Sequence, residues 1–268
     1  MSLVLHKLFF WLFIAIVIFV VAVPILYLGY EGSIGRFSSP SRSFSYEVLS
    51  SIALTLVASI IAASIALIIG APVAYYLARY RFHGIDFIEA LIDLPTSVPH
   101  PLVGIAILVM MGPIGPLSPL LRVFGVENVS YTLLALILAL LVVSAPIMIK
   151  SLASGFKSLD PQPEIAALTL GISRVKIFLL IVLPMSFRSI LNSFAITLAR
   201  SISEFGSIVI VAYYILTPPF QGVKPAPVLI WDLFESGGLA SALPASATLF
   251  LLSLVVLFLI RVSERISR

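Results

Sequence analysis

Four stretches of this chain are long and apolar enough to cross a bilayer as helices: Leu8–Tyr30, Ile52–Ala78, Tyr131–Ile149 and Leu243–Ile260. A spanning helix needs roughly 20 such residues. The 268 residues are 60% hydrophobic and only 10% charged, where a soluble domain is nearer a quarter charged. A chain of this make-up cannot cover its own surface with polar groups, so its solvent is lipid. The Ile52–Ala78 run is rich in Ala and Ser, which suits close helix packing, and its Gly70 and Pro72 predict a kink. The first run could be mistaken for a secretion signal. From Leu8 to Leu28, however, it is about twice the usual length of a signal core, and no small-x-small cleavage site follows. It reads as a retained first helix.

Two further apolar segments are interrupted. One runs from about Ile85 to Gly112 and is broken by Asp93, Pro95, Pro99, His100 and Pro101. The other runs from about Ser189 to Tyr214 and carries Arg200, Glu204 and Gly206. Counting both, the expected architecture is all-α, a polytopic membrane protein with six spans forming one domain over residues 1–268. Cysteine is absent and the three histidines are scattered, which excludes disulfides and gives no metal site. There is no phosphate-binding Walker A pattern, so this chain does not bind ATP by that route.

Six spans put both termini on one side. With that side cytoplasmic, the inside segments hold Lys7, Arg79, Arg81, Lys150, Lys157, Arg174, Lys176, Arg188, Arg261, Arg265 and Arg268, while the outside loops hold Arg36, Arg42, Arg122 and Lys224. This asymmetry fixes the orientation. The net charge of +4 is therefore topological and gives no reason to expect nucleic acid binding. The outside loops at 31–47, 113–130 and 215–241 are short and rich in Gly, Pro and Ser, and none is expected to fold as a separate domain. No internal repeat is evident.

The same orientation places a polar island, residues 158–184, in the cytoplasm. Asp160 is suited to cap a helix whose first turn takes Pro161. Gly171 stops that helix, and Ser173 is suited to cap a second. The plain reading is a cytoplasmic helical hairpin.

Broken apolar segments are the best pointer to a transport path. Three prolines in seven residues, Pro95, Pro99 and Pro101, forbid a continuous helix. The apolar run after Pro101 is about half a bilayer long. Two readings stay open. A half-helix starting near His100 would point free N–H groups and a positive dipole end inward, towards an oxyanion. Alternatively, a kinked helix begins at the cytoplasmic surface and His100 merely caps it. In the other segment Arg200 and Glu204 are four apart and share a helix face. Either they lock the helix together, or they line or gate the path with Ser203, Phe205, Gly206 and Ser207. A net-neutral pair is a poor fixed cage for a dianion, and weak contacts suit transport better than firm binding.

The island resembles the EAA loop of ABC-transporter permeases, in which Glu-Ala-Ala is followed by Gly and later by Leu-Pro. Here Glu164, Ile165, Ala166, Ala167, Gly171 and Leu183-Pro184 stand at that spacing, with Ile165 in place of the first Ala. Asp-Leu-Pro-x-x-x-Pro-His-x-x-x-Gly at 93–104, Ile-Ser-Glu-Phe-Gly at 202–206 and Ala-Tyr-Tyr at 212–214 are similar to the permease subunits of molybdate/tungstate ABC transporters, particularly the archaeal type. The resemblance implies a type I importer permease fold. It implies a homodimer in the cell membrane with two ATP-binding cassette subunits beneath it and an extracellular oxyanion-binding protein above. ATP and Mg would be bound by the ATPase partner, with no cofactor in this chain. Asp160, Glu164, Ala166, Ala167, Gly171 and Arg174 would couple the spans to the ATPase. Pro99, His100, Arg200, Ser203, Glu204, Phe205, Gly206 and Ser207 would form the path or its gate. Sulfate permeases share the Glu-Phe-Gly element and remain the alternative. A secondary transporter using Glu204 as proton carrier, and a passive structural subunit, are less consistent with these features.

Overall fold

The computed structural model describes residues 2–34 and 45–266, with side chains over 9–31, 45–256 and 258. Arg36, Arg42 and Arg268 lie outside the described residues, as do the side chains of Lys7, Arg261 and Arg265. The elements are α1 Ser2–Ile34, α2 Tyr46–Arg79, α3 Ile85–Ser97, α4 His100–Met111, α5 Ser118–Val123, α6 Leu133–Lys157, α7 Gln162–Thr169, α8 Arg174–Met185, α9 Phe187–Ile202, α10 Gly206–Val211 and α11 Ala226–Ile266. No strand occurs among the described residues.

Four helices cross-match the length and hydropathy of a span: α1, α2, α6 and α11 over Ala226–Val256. Two bent pairs bring the number to six. The helices α3 and α4 meet at 106°, and α8 and α9 meet at 78°. The second pair differs from the expected Ser189–Tyr214 span. The chain is already helical from Arg174, and α9 stops at Ile202. The island's second helix is thus the first half of a broken span. It passes Leu183-Pro184 through a π-turn at Phe178–Val182, where the Leu183 N–H donates to the carbonyl of Phe178, five residues back. The wide turn lets the helix absorb Pro184, whose nitrogen has no hydrogen to donate. The 215–241 region also differs from a loop, being helical from Ala226, with Gly238 at φ +68 marking a break inside α11.

The chain forms two compact units. The first comprises residues 1–49 and 229–254. In it, the ring of Phe250 packs against Gly29 so closely that a Cβ there would lie 2.8 Å from Phe250 Cδ1. The second unit, residues 50–228 and 255–268, holds both apolar cores. One core gathers Leu54, Ala58, Val103, Leu136, Leu140, Ile208 and Ile215. The other gathers Ala66, Ala74, Met148, Leu152, Phe156 and Ile177. Small residues do let helices approach. Gly70 packs on Ile149, where a Cβ would stand 3.1 Å from Ile149 Cγ1, and a Cβ on Gly155 would meet Ser189 Cβ at 2.5 Å. The helix α2 runs on through Gly70 and Pro72 to Arg79.

Candidate functional site

The island folds into two helices, but neither Asp160 nor Ser173 makes the expected N-cap. Asp160 Oδ1 accepts the N–H of Gln162, the first residue of α7, at 3.0 Å, from one position before the N-cap, which Pro161 occupies. At the other end Gly171 takes φ +77. Its N–H donates to the carbonyl of Leu168 at 3.0 Å, and the Ile172 N–H donates to that of Ala167 at 3.1 Å. This paired pattern closes a helix with glycine in the left-handed region. Ser173 precedes α8 with extended backbone but makes no side-chain cap.

The island's residues divide into two faces. Ala167 and Glu164 are buried. Ala166 is exposed, as are Ile165, Leu168 and Leu170. Glu164 does not reach outwards. Its Oε1 accepts from Arg79 Nε at 2.9 Å and Nη2 at 2.6 Å, and its Oε2 accepts from the Tyr75 hydroxyl at 2.8 Å. The carboxylate therefore seats α7 on the end of α2. Arg174 is exposed and lies over the Tyr80 ring, 5.0 Å from its centroid, with a hydrogen bond to the Tyr80 hydroxyl. Sequence reading missed Tyr75, Tyr80 and Arg79 as partners. They lie 85 or more residues from Glu164 and Arg174, and nothing in the local pattern links them beyond the basic end of a span.

The two broken segments meet. Glu204 lies in the short link between α9 and α10, with only 1% of its surface exposed. Its Oε2 is 2.8 Å from Arg200 Nη2 and 3.0 Å from His100 Nδ1. Its Oε1 accepts both the N–H and the hydroxyl of Ser207 at 2.9 Å, which caps the first turn of α10. The Arg200 guanidinium also rests against the imidazole, with Nη2 3.0 Å from Nδ1 and 3.2 Å from Nε2. His100 opens α4 but makes no side-chain cap there. The capping reading of His100 gives way to a long-range contact with Arg200 and Glu204. Arg200 and Glu204 pair as expected, although Glu204 is already beyond the end of α9.

Small residues make this meeting possible. A Cβ on Gly206 would lie 2.9 Å from His100 Cβ, and one on Gly104 would lie 2.6 Å from the Ser207 carbonyl oxygen. Pro99 sits at the break before α4, and Phe205 packs partly against the apolar core. Ser203 is not part of the cluster. It is exposed, and its hydroxyl donates to the Arg200 carbonyl at 3.0 Å. Asp93 pairs instead with Lys150 at 2.7 Å, tying α3 to α6. Among the described residues no group of His, Asp and Glu is arranged to hold a metal ion.

The sequence profile of binding-protein-dependent transport system inner membrane components matches residues 68–267. The chain belongs to this family. The matched region contains both broken spans and the island, so the family is shared where the sites lie. The molybdate/tungstate transport system permease protein WtpB of Methanocaldococcus jannaschii is 33% identical over 256 residues, covering 94% of each chain. The WtpB of Thermococcus kodakarensis is 36% identical over 214 residues, covering 80% of this chain and 78% of that one. The sulfate transport system permease protein CysT of Synechococcus elongatus is 28% identical over 256 residues, covering 94% of this chain and 88% of that one. Among solved structures, a bacterial alginate ABC transporter in complex with an alginate-bound periplasmic protein aligns with TM-score 0.71 at 17% identity, covering 98% of this chain and 94% of that chain. The fold is that of a type I importer permease. As a family member with several apolar helices, the chain is a multi-pass membrane transport subunit.

Proposed function

We propose that this chain is the permease of an ATP-driven importer for molybdate or tungstate. It would act as one permease domain over its whole length and as a homodimer, with both termini cytoplasmic. Two ATP-binding cassette subunits would dock on the island, and an extracellular oxyanion-binding protein would deliver cargo. The supporting observation is the 33% identity to a molybdate/tungstate permease over 94% of both chains. Sulfate import is the second reading, supported by the 28% identity to a sulfate permease.

Coupling runs through α7. The exposed Ile165, Leu168 and Leu170 give the ATPase an apolar knob, while Glu164 and Arg79 make α7 move with α2. Asp160 and Gly171 fix the ends of the knob, and Arg174 flanks it. ATP, with Mg, binds the partner. Closure of the paired ATPase subunits shifts α7 as a rigid body and opens the path outwards, and hydrolysis restores the inward-facing state. The path runs past the junction of α4 with α9 and α10, where Pro99, His100, Arg200, Glu204, Phe205, Gly206 and Ser207 gate it. Ser203 borders it.

The test is accumulation of labelled tungstate in sealed vesicles carrying this chain, its ATPase and its binding protein. Uptake that requires ATP and survives ionophores supports the reading. Uptake driven by an ion gradient without ATP would assign the chain to secondary transport.

A further inference from the structure

We infer that His100 and Arg200 form an oxyanion-binding site, and that Glu204 occupies it as an internal competitor which a passing tetrahedral dianion displaces. The inference rests on the importer reading above and names where its cargo pauses.

Four donor groups converge on the Glu204 carboxylate: Arg200 Nη2, His100 Nδ1, and the N–H and hydroxyl of Ser207. A guanidinium grouped with N–H and O–H donors in this way is a usual means of holding a carboxylate, phosphate or similar oxyanion. The site is thus built for an anion and filled by one that belongs to the protein. Burial is unequal across it. The side chain of Glu204 is 1% exposed, while those of Arg200 and His100 are 26% and 30% exposed. The carboxylate is the buried member of the cluster, and its two partners are part-exposed. Arg200 and His100 therefore offer the accessible surface at which a mobile anion would arrive, and Glu204 does not.

Location strengthens the case. His100 is the first residue of the 12-residue α4, directly after the 106° break, and no side chain caps α4. The backbone dipole there favours negative charge. Gly206 and Gly104 bring α4 and α10 together, so the donors come from two broken segments that move only as their helices move.

The competitor explains how a transporter can contain such a cluster without trapping its cargo. Arg200 alone would hold a dianion firmly. With Glu204 in place the fixed charges of Arg200 and Glu204 cancel, so an arriving dianion gains Arg200 and His100 only by displacing Glu204, which returns when the ligand leaves. Binding is weakened to what conduction requires.

Equilibrium dialysis of labelled tungstate against the purified permease–ATPase complex, without binding protein, tests this. Glu204→Gln keeps an oxygen for the Ser207 cap and removes the competing charge. The variant should bind tungstate at least tenfold tighter than wild type, at one ion per permease subunit, and adding Arg200→Gln should abolish the gain. Affinity unchanged in a folded Glu204→Gln complex overturns the inference. If Glu204→Gln does not assemble, Ser207→Ala decides. It loosens the seat of the carboxylate without touching Arg200 or His100 and should tighten tungstate binding several-fold, and no change overturns the inference. ATP-driven tungstate uptake by the wild-type complex with its binding protein is measured in parallel. If uptake is present and the variants gain no affinity, only the internal competitor is wrong. If wild type carries no oxyanion, the importer reading falls and this inference with it.

Discussion

Glu164 binds Arg79 by two hydrogen bonds, 2.9 Å to Nε and 2.6 Å to Nη2, so the most recognisable residue of the island faces the body of the protein. The helix carrying it is held to α2 by a nearly buried ion pair whose side chains are 15% and 9% exposed. Removing Arg79 leaves the Glu164 carboxylate with the Tyr75 hydroxyl but no countercharge, at a cost of at most about 3–5 kcal/mol. Arg79→Ala should therefore lower the thermal stability of the solubilised permease and raise the ATP consumed per tungstate imported. The exchange Arg79→Glu with Glu164→Arg should recover part of both. Unchanged stability and stoichiometry in Arg79→Ala would show that the pair does not seat α7.

Gly171 stands at φ +77, in the left-handed region, with open space around its Cα. A side chain there meets no neighbour but strains the backbone by about 1–2 kcal/mol. Gly171→Val should distort the turn between α7 and α8 and uncouple hydrolysis from uptake while the complex still assembles. Wild-type tungstate uptake in this variant would contradict the docking role of the turn.

Leu170 is 80% exposed at the end of α7. Replacing it with Glu removes no internal contact, so the melting temperature of the isolated permease should hold within about a degree, as surface changes usually alter stability by no more than about 0.5 kcal/mol. Copurification with the ATPase should fall sharply. A lower melting temperature with intact copurification would mean that Leu170 packs internally.

Gly206 has no room for a methyl group, since a Cβ would lie 2.9 Å from His100 Cβ and 3.1 Å from Pro101 Cδ. Overpacking of this kind costs about 1–3 kcal/mol. Gly206→Ala should destabilise the permease and push His100 away from Glu204, measurable as a lower melting temperature and reduced uptake. Gly125→Ala, at φ +76 in an open loop, is a control for strain without crowding and should leave uptake unchanged.

The parts of this fold that were legible in the sequence are those set by local chemistry. Long apolar runs announced α1, α2, α6 and α11, and prolines announced the break before His100. Asp160 and Gly171 marked the ends of α7. Local pattern could not show where Arg174 leads, because a π-turn carries the helix past Pro184. It also misread 226–241 as loop, since Gly237 and Gly238 resemble a turn although the chain stays helical on either side. The pairing of Arg200 with Glu204 followed from their spacing of four. The third member, His100, lies 100 residues from Arg200, and only the meeting of the two broken spans brings it in. Glu164 matched the motif at its position, yet its inward direction depends on Arg79 and Tyr75, which no spacing rule connects to it.

The most direct measurement is ATP-dependent uptake of labelled tungstate by vesicles carrying this chain with its ATPase and binding protein, in the presence of excess molybdate or excess sulfate. The account predicts that molybdate suppresses uptake and sulfate does not. Suppression by sulfate, or absence of ATP-dependent uptake, would contradict it.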